Sequence, residues 1–290
     1  MFVKKGAILD GNNLLYAAYH SLFKVDEVTS GLLAYTFLSK VRFVLTKMGT
    51  LNVVPFIIWD GENSRDARQT LFPQYKGQRP RTASVIHETK QALMEELVQI
   101  APRLSISIKG VEADDLMAIL ALRDRSSNWV MCTRDADLMQ LISPTVEYYN
   151  VFTRKMWDEK AFDDKYGFSP EILVLYKALV GDPSDNWPGV RGVGKKTAET
   201  LLVGKTVEDA IQAITDKLND KDFATFETGV RLCILPITDK DILDQCETCI
   251  HTILSDEVEV GSWSSLHDRF DIVKGNNAKF RVGVWPTHND

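Results

Sequence analysis

Nine acidic residues stand in five short clusters, each placed where an apolar run ends: Asp10 in AILDGNN, Asp60 in FIIWDG, Glu112, Asp114 and Asp115 in VEADD, Asp135 and Asp137 in TRDAD, and Asp182 and Asp185 in GDPSDN. Carboxylates gathered in one place repel one another unless hard divalent cations lie among them, and oxygen-rich sets of this kind suit magnesium. Taken one at a time, the clusters have plainer readings. Asp10 and Asp135 suit helix N-caps, Asp60-Gly61 suits a turn, and VEADD suits the negative first turn of a helix. Their coincidence argues for a shared site. Glu112 and Asp115 are three apart and can share a helical face, as can Asp182 and Asp185, while Asp135 and Asp137 can point together at a strand end. Two ligand groups are enough for two cations.

The elements that must carry these residues follow from periodicity. Short apolar runs near 6–9, 53–59, 104–108, 129–133 and 146–150 read as buried strands. Helical spacing, as in Leu33, Phe37, Val41 and Val44, fills 12–22, 31–48, 84–101 and 113–124. Alternation of this kind predicts an α/β fold with a mostly parallel sheet, whose ligands collect beyond the carboxyl ends of the strands, where Asp10, Asp60 and Asp135 fall. Beyond about residue 169 the pattern changes to helices and Gly/Pro-rich turns. The expected division is therefore an α/β core over 1–168 and a helical region over 169–290.

Two basic segments stand apart from the acids. Tyr75, Lys76, Arg79 and Arg81 cluster ahead of an amphipathic helix, within a connection of about 45 residues, a length that usually marks a functional lid or a disordered segment. A solvated basic loop is the ordinary reading of such a run; here Lys76 and Arg79 could reach a phosphate held by metals. The second segment, GVRGVGKKTAETLL, has glycines at 189, 192 and 194 that permit a tight turn with exposed amides before a helix, and Lys195 and Lys196 add charge. A nucleotide P-loop is excluded, because Lys196 stands where Ser or Thr should hold magnesium and the turn does not follow a strand. A helix-turn-helix cradle for a nucleic-acid backbone fits better than a plain surface turn.

Composition sets outer bounds. With 290 residues, 44% hydrophobic and 26% charged, the chain has ample material for a core and shows no repeat, signal peptide or long uncharged span, so a cytoplasmic protein is expected. The formal charge of −6 is weak evidence against a nucleic-acid partner, since without the nine clustered carboxylates the remainder is net positive. Cys132, Cys233, Cys246 and Cys249 are too few and scattered for a disulfide framework. The lone CxxC at 246–249 lacks a second pair to complete a zinc site.

Together, DGNNLLYAAYH, WDG, YKGQRP, KGVEADD, TRDADLMQL and LVGDPSDNWPGVRGVGKKTA resemble, in order from residue 6 to 202, the 5′-nuclease family, which comprises the 5′-3′ exonuclease domain of bacterial DNA polymerase I and the phage flap endonucleases. The resemblance implies a resolvase/PIN-like sheet, a helical arch over about 73–103 and a helix-three-turn-helix element on duplex DNA. It implies a first metal site of Asp10, Asp60, Glu112, Asp114 and Asp115, sharing Asp135, and a second of Asp137, Asp182 and Asp185. Two Mg2+ ions are implied, with Mn2+ as a substitute. Lys76 and Arg79 would contact the scissile phosphate, and Tyr75 would stack on the substrate. Arg81, Gly192, Gly194, Lys195, Lys196 and Thr197 would bind DNA, with K+ held by the backbone of Val190 and Val193. The implied activity is two-metal hydrolysis of DNA carrying a free 5′ end, a 5′ flap or a nick, or of an RNA–DNA hybrid, in replication or repair, by a monomer with no membrane partner. The alternatives are a single-stranded RNA nuclease of related fold, which leaves GVRGVGKK unexplained, and an inactive binding protein, which should lack some of the nine acids.

Overall fold

The computed structural model describes residues 5–48, 55–79, 82–100, 102–123 and 128–255. Five strands form one sheet: β1 (Lys5–Asp10), β2 (Phe56–Ile58), β3 (Asn128–Thr133), β4 (Val146–Asn150) and β5 (Lys155–Trp157). Their order is β2-β1-β3-β4-β5, with the first four parallel and β5 antiparallel to β4. Because side chains alternate along a strand, both faces of this sheet need cover. Ala7, Leu9, Ile57, Val130, Cys132 and Tyr149 pack under α1 (Gly11–Ser21), α2 (Ser30–Met48) and α4 (Ser84–Ile100). Ile8, Phe56, Ile58, Trp129, Met131 and Tyr148 face the other way, against α5 (Ala113–Arg123) and the helices that follow.

The remaining helices are α3 (Asp66–Leu71), α6 (Glu159–Tyr166), α7 (Leu173–Val180), α8 (Lys195–Leu202), α9 (Val207–Lys217), α10 (Asp220–Cys233) and α11 (Lys240–Ser255). The helical character expected beyond residue 169 is therefore present through 255. The segment expected to form an arch supplies α4, whose buried face of Ile86, Leu93, Leu97 and Ile100 joins the core beneath α1 and α2.

Two expectations about strands need correction. The run 104–108 makes no strand: a 3₁₀ turn ends at Leu104, and a single parallel bridge joins Ile106 to Ile58 before the chain bends through Gly110 (φ 81°) to start α5. Strand β5 was not expected, nor were α3 and α6; in β5 only three residues pair after the turn at Arg154 (φ 60°), too short a run to show alternation. Residues 53 and 54 of the second expected strand lie outside the described residues. All four cysteines are free thiols, three of them buried. Among the described residues no helix is long and apolar enough to cross a membrane.

Candidate active site

Four of the acids, Asp10, Asp60, Asp135 and Asp182, are held by capping bonds to the start of a helix or 3₁₀ turn. Asp10 ends β1 and caps α1, accepting the Asn13 amide at 2.9 Å, while the Thr133 hydroxyl donates to its other oxygen at 2.8 Å. Helix α1 can start there because Gly11 lies against the Trp59 ring, where a Cβ would come within 2.6 Å of ring carbons. Asp60 follows β2 and accepts the Ala113 amide at 2.9 Å, so it caps the start of α5 from a different segment. Gly61 must be glycine for that approach, since a Cβ would sit 1.7 Å from the Ile108 carbonyl oxygen. Asp135 caps the 3₁₀ turn Ala136–Leu141 through the Asp137 amide at 3.0 Å, and Asp182 caps Pro183–Asp185 through the Ser184 amide at 2.8 Å. The capping and catalytic readings of these acids are thus not exclusive.

Two groups of three carboxylates result. Glu112, Asp114 and Asp115 present oxygens that all lie within 4.8 Å of one another, and Asp137, Asp182 and Asp185 do the same. Spacing pairs Asp137 with Asp135; the grouping of Asp137 with Asp182 and Asp185 is the one the family resemblance implies, with Asp10, Asp60 and Asp135 at the neighbouring strand ends. An all-carboxylate donor set fits hard divalent cations and little else.

Basic side chains are threaded between the acids. Arg68, 2% exposed, donates to Asp115 at 2.5 and 2.8 Å and to Glu112 at 2.7 Å. Lys76 donates to the other Glu112 oxygen at 2.6 Å and lies 3.9 Å from Asp185. Lys177 bridges Asp137 and Asp182, and Arg79, 40% exposed, reaches Asp185 at 3.3 Å. Lys90 on α4 donates to the Asp60 carbonyl at 2.8 Å. Burial pushes the Asp10 carboxyl up to about 7, with Asp60 adding repulsion. Burial also lifts Glu112 to about 7, helped by Asp114 and opposed by Lys76 and Arg68. Burial would raise Asp182 as well, but Lys177 and the Ser184 donors outweigh it and hold this carboxyl below its ordinary value. Asp185, with weaker partners, is raised by burial.

Lys76 is held in the left-handed region (φ 52°), a conformation that costs free energy in a non-glycine residue and tends to occur at functional sites. Its amide donates to the Asp185 carbonyl at 3.1 Å, and Asn186 donates to the Gln74 carbonyl at 3.0 Å, so the basic loop is fastened to the second acidic group. Tyr75 requires a correction: expected to stack on substrate, it is 2% exposed among Trp187, Leu232 and Cys233, and its hydroxyl donates to Glu112 at 3.0 Å. No ring face is left for a base. Arg81 lies outside the described residues.

The glycine turn expected to form a cradle begins beside the second acidic group, where a Cβ at Gly189 would come within 2.5 Å of the Gly181 amide nitrogen. Gly189 and Gly192 take φ of 75° and 78°, and Gly194 precedes α8 without a side-chain cap. Lys195 and Lys196 are exposed, Thr197 is half-buried, and the Val190 carbonyl accepts the Val193 amide at 3.1 Å. Open space surrounds Gly192 and Gly194. Sequence reasoning missed Arg68 and Lys177 as members of the site. For Lys177 a signal existed: it is the lone charge in the apolar helix LVLYKALV, and a charge there needs a buried partner.

Comparison with known proteins places this geometry. Residues 5–167 match the 5′-3′ exonuclease N-terminal resolvase-like domain, and residues 168–230 match the 5′-3′ exonuclease C-terminal SAM fold. A 5′-3′ exonuclease of Buchnera aphidicola subsp. Schizaphis graminum is 31% identical over 199 residues, covering 67% of this chain and 68% of that protein. DNA polymerase I of Pseudomonas aeruginosa is 30% identical over 199 residues, 68% of this chain but only 22% of the polymerase. The T5 D15 protein co-crystallised with metal ions superposes with a TM-score of 0.65 at 21% identity, over 86% of this chain and 99% of that one, a likeness of fold. With its acidic clusters and both domains matched, the chain belongs to the 5′-3′ exonuclease family.

Proposed function

We infer that the chain is a divalent-metal-dependent, structure-specific 5′ nuclease that hydrolyses DNA phosphodiesters next to a free 5′ end, a 5′ flap or a nick. The observation that carries this reading is the pair of three-carboxylate groups beyond the strand ends. The first cation would be held by Glu112, Asp114 and Asp115 with Asp10, Asp60 and Asp135 nearby, and the second by Asp137, Asp182 and Asp185. Mg2+ is the expected ion, with Mn2+ as substitute. Bound there, the ions supply an acidified water and charge neutralisation on the attacking and leaving oxygens. Lys76 and Arg79 lie where the basic loop meets Asp185 and are suited to counter charge on the reacting phosphate. Tyr75 serves the site by orienting Glu112.

Duplex phosphates are assigned to the exposed amides and lysines at the start of α8: Gly192, Gly194, Lys195, Lys196 and Thr197. The Val190 and Val193 carbonyls are assigned to K+. The family models change between residues 167 and 168, which supports an α/β core to 168 and a helical DNA-binding region after it. The working form is a monomer in a bacterial or phage-infected cytoplasm, and an RNA–DNA hybrid is a further substrate. The test is one gel: labelled 5′ flap, nicked duplex, single strand and RNA–DNA hybrid, each with magnesium or chelator. Magnesium-dependent cleavage of the flap with short 5′ products is expected; binding without cleavage in any metal would overturn the assignment.

A further inference from the structure

The segment that follows α10 crosses behind the acidic groups and is tied to both. Arg68 donates to the carbonyls of Leu232 at 3.0 Å and Ile234 at 3.3 Å, in addition to its three bonds to Glu112 and Asp115. Its five guanidinium donors thus serve two carboxylates and two backbone carbonyls. The Ile237 amide donates to Asp115 Oδ1 at 2.7 Å. Gln140 makes the other fastening: its Nε2 donates to the carbonyls of Cys233 at 3.0 Å and Asp137 at 2.9 Å, and its oxygen accepts the Leu235 amide at 3.0 Å. The strap therefore runs from the segment bearing Asp137 to the helix bearing Asp115. It lies beyond residue 230, where the family match ends.

A counter-charge alone would not call for this arrangement. Lysine would supply it, whereas a guanidinium fork also fixes the plane of the carboxylate it grips. Both oxygens of Asp115 are engaged by Arg68, and both oxygens of Glu112 receive donors from Arg68, Tyr75 or Lys76, which leaves neither carboxylate free to rotate. We propose that residues 232–237, acting through Arg68 and Gln140, form a strap that positions Glu112 and Asp115 for cation binding, so that Arg68 and Gln140 are positioning residues for the metal site. The proposal rests on the reading that these acids are metal ligands.

The experiment measures Mn2+ binding to the full chain by paramagnetic resonance, without substrate, for wild type, Gln140→Leu, Arg68→Lys and Asp114→Asn. Gln140→Leu touches no acid side chain and Arg68→Lys keeps the charge, so a merely structural fastening would lower thermal stability and leave Mn2+ affinity alone. A positioning role weakens Mn2+ by about 10-fold or more in each, as loss of partners behind metal ligands generally does, and excess Mn2+ restores turnover of flap DNA in Gln140→Leu. Mn2+ affinity of Gln140→Leu within about two-fold of wild type overturns the strap, and this variant decides alone if Arg68→Lys does not fold. Unchanged affinity in Asp114→Asn instead overturns the ligand assignment on which the proposal stands.

Discussion

Neutralising Asp115 should cost far more stability in chelator than neutralising its neighbour Asp114, although both should abolish cleavage. From repulsion alone, removing either charge ought to stabilise the metal-free protein. The structure reverses that expectation for Asp115. Its carboxylate takes Arg68 at 2.5 and 2.8 Å, with both side chains 2% exposed, and accepts the Ile237 amide. Removing one partner of a buried pair typically costs about 3–5 kcal/mol, because the other charge stays buried. Two effects reduce that figure here. Asparagine keeps an acceptor oxygen, and burial already disfavours the Asp115 charge enough to raise its carboxyl despite Arg68. A net loss of about 2 kcal/mol remains, or roughly 4–8 °C in melting temperature for a chain of this size. Asp114 makes no direct ion pair among the described residues, and its repulsion of Glu112 and Asp135 is offset by its attraction for Arg68 and Lys76, so Asp114→Asn should change stability by less than about 1 kcal/mol. The assay is thermal and urea unfolding in EDTA, with flap cleavage in magnesium run in parallel. Asp115→Asn melting at or above wild type in EDTA would refute the pairing, and wild-type turnover in either variant would remove the two-metal assignment.

Further predictions follow from the same site. Lys76→Ala should lower turnover by about two orders of magnitude or more with little change in flap affinity, measured by single-turnover kinetics; normal turnover with weaker binding would make Lys76 a plain anchor. Lys177→Met leaves Asp137 and Asp182 without their shared cation, so it should destabilise the chelated protein by about 3 kcal/mol and make its melting temperature rise more steeply with Mn2+ than that of wild type. In chelator, Asp10 and Glu112, raised from 3.8 and 4.5 to about 7, bind protons more tightly folded than unfolded; their contribution is complete below about pH 4 and lost as pH rises through 7, so urea stability should fall over that window. Lys195→Ala with Lys196→Ala should weaken duplex-containing flaps and flatten the salt dependence by up to about 0.9 per lost phosphate contact, while a short single strand is spared; equal losses on both would make this segment a structural turn.

The acids were legible because their placement depends on short-range rules. An aspartate at the end of an apolar run followed by helical spacing is both a strand end and a cap, as Asp10 and Asp135 are, whereas the cap that Asp60 gives α5 spans 53 positions and only its place at a strand end could be read locally. The pairing of Glu112 with Asp115 is read from a spacing of three; Glu112 stands just before α5, and Arg68 grips both acids. What stayed hidden depends on contacts remote in sequence. Arg68 meets Leu232, 164 positions away, and no local pattern announces such a contact. Tyr75 misled because the aromatic beside a basic run reads as a stacking surface, whereas docking of 72–79 on 182–186 turns its ring inward. The strand expected at 104–108 has the right residue types but only one pairing position, and hydrogen bonding decides that.

The resident cations explain how so acidic a cluster coexists with a packed interior. Four basic side chains, Arg68, Lys76, Arg79 and Lys177, pair with five of the six carboxylates of the two groups, Asp114 being the exception among the described residues, so each group is held part-neutral by the chain itself. They differ in what they leave available. Arg68 approaches Asp115 and Glu112 together with two backbone carbonyls, an arrangement that a cation binding elsewhere on those acids need not disturb. Lys177, by contrast, stands between Asp137 and Asp182, in the space a second cation would share. Metal binding at the second group would displace the ammonium that joins Asp137 to Asp182, whereas at the first Lys76 would give up only one Glu112 oxygen while Arg68 still holds Glu112 and Asp115 in place. The two groups should fill at different metal concentrations, Glu112, Asp114 and Asp115 first. A single-step Mn2+ titration of wild type that stays single-step in Lys177→Met would contradict that order; two steps that merge in the variant are the expected result.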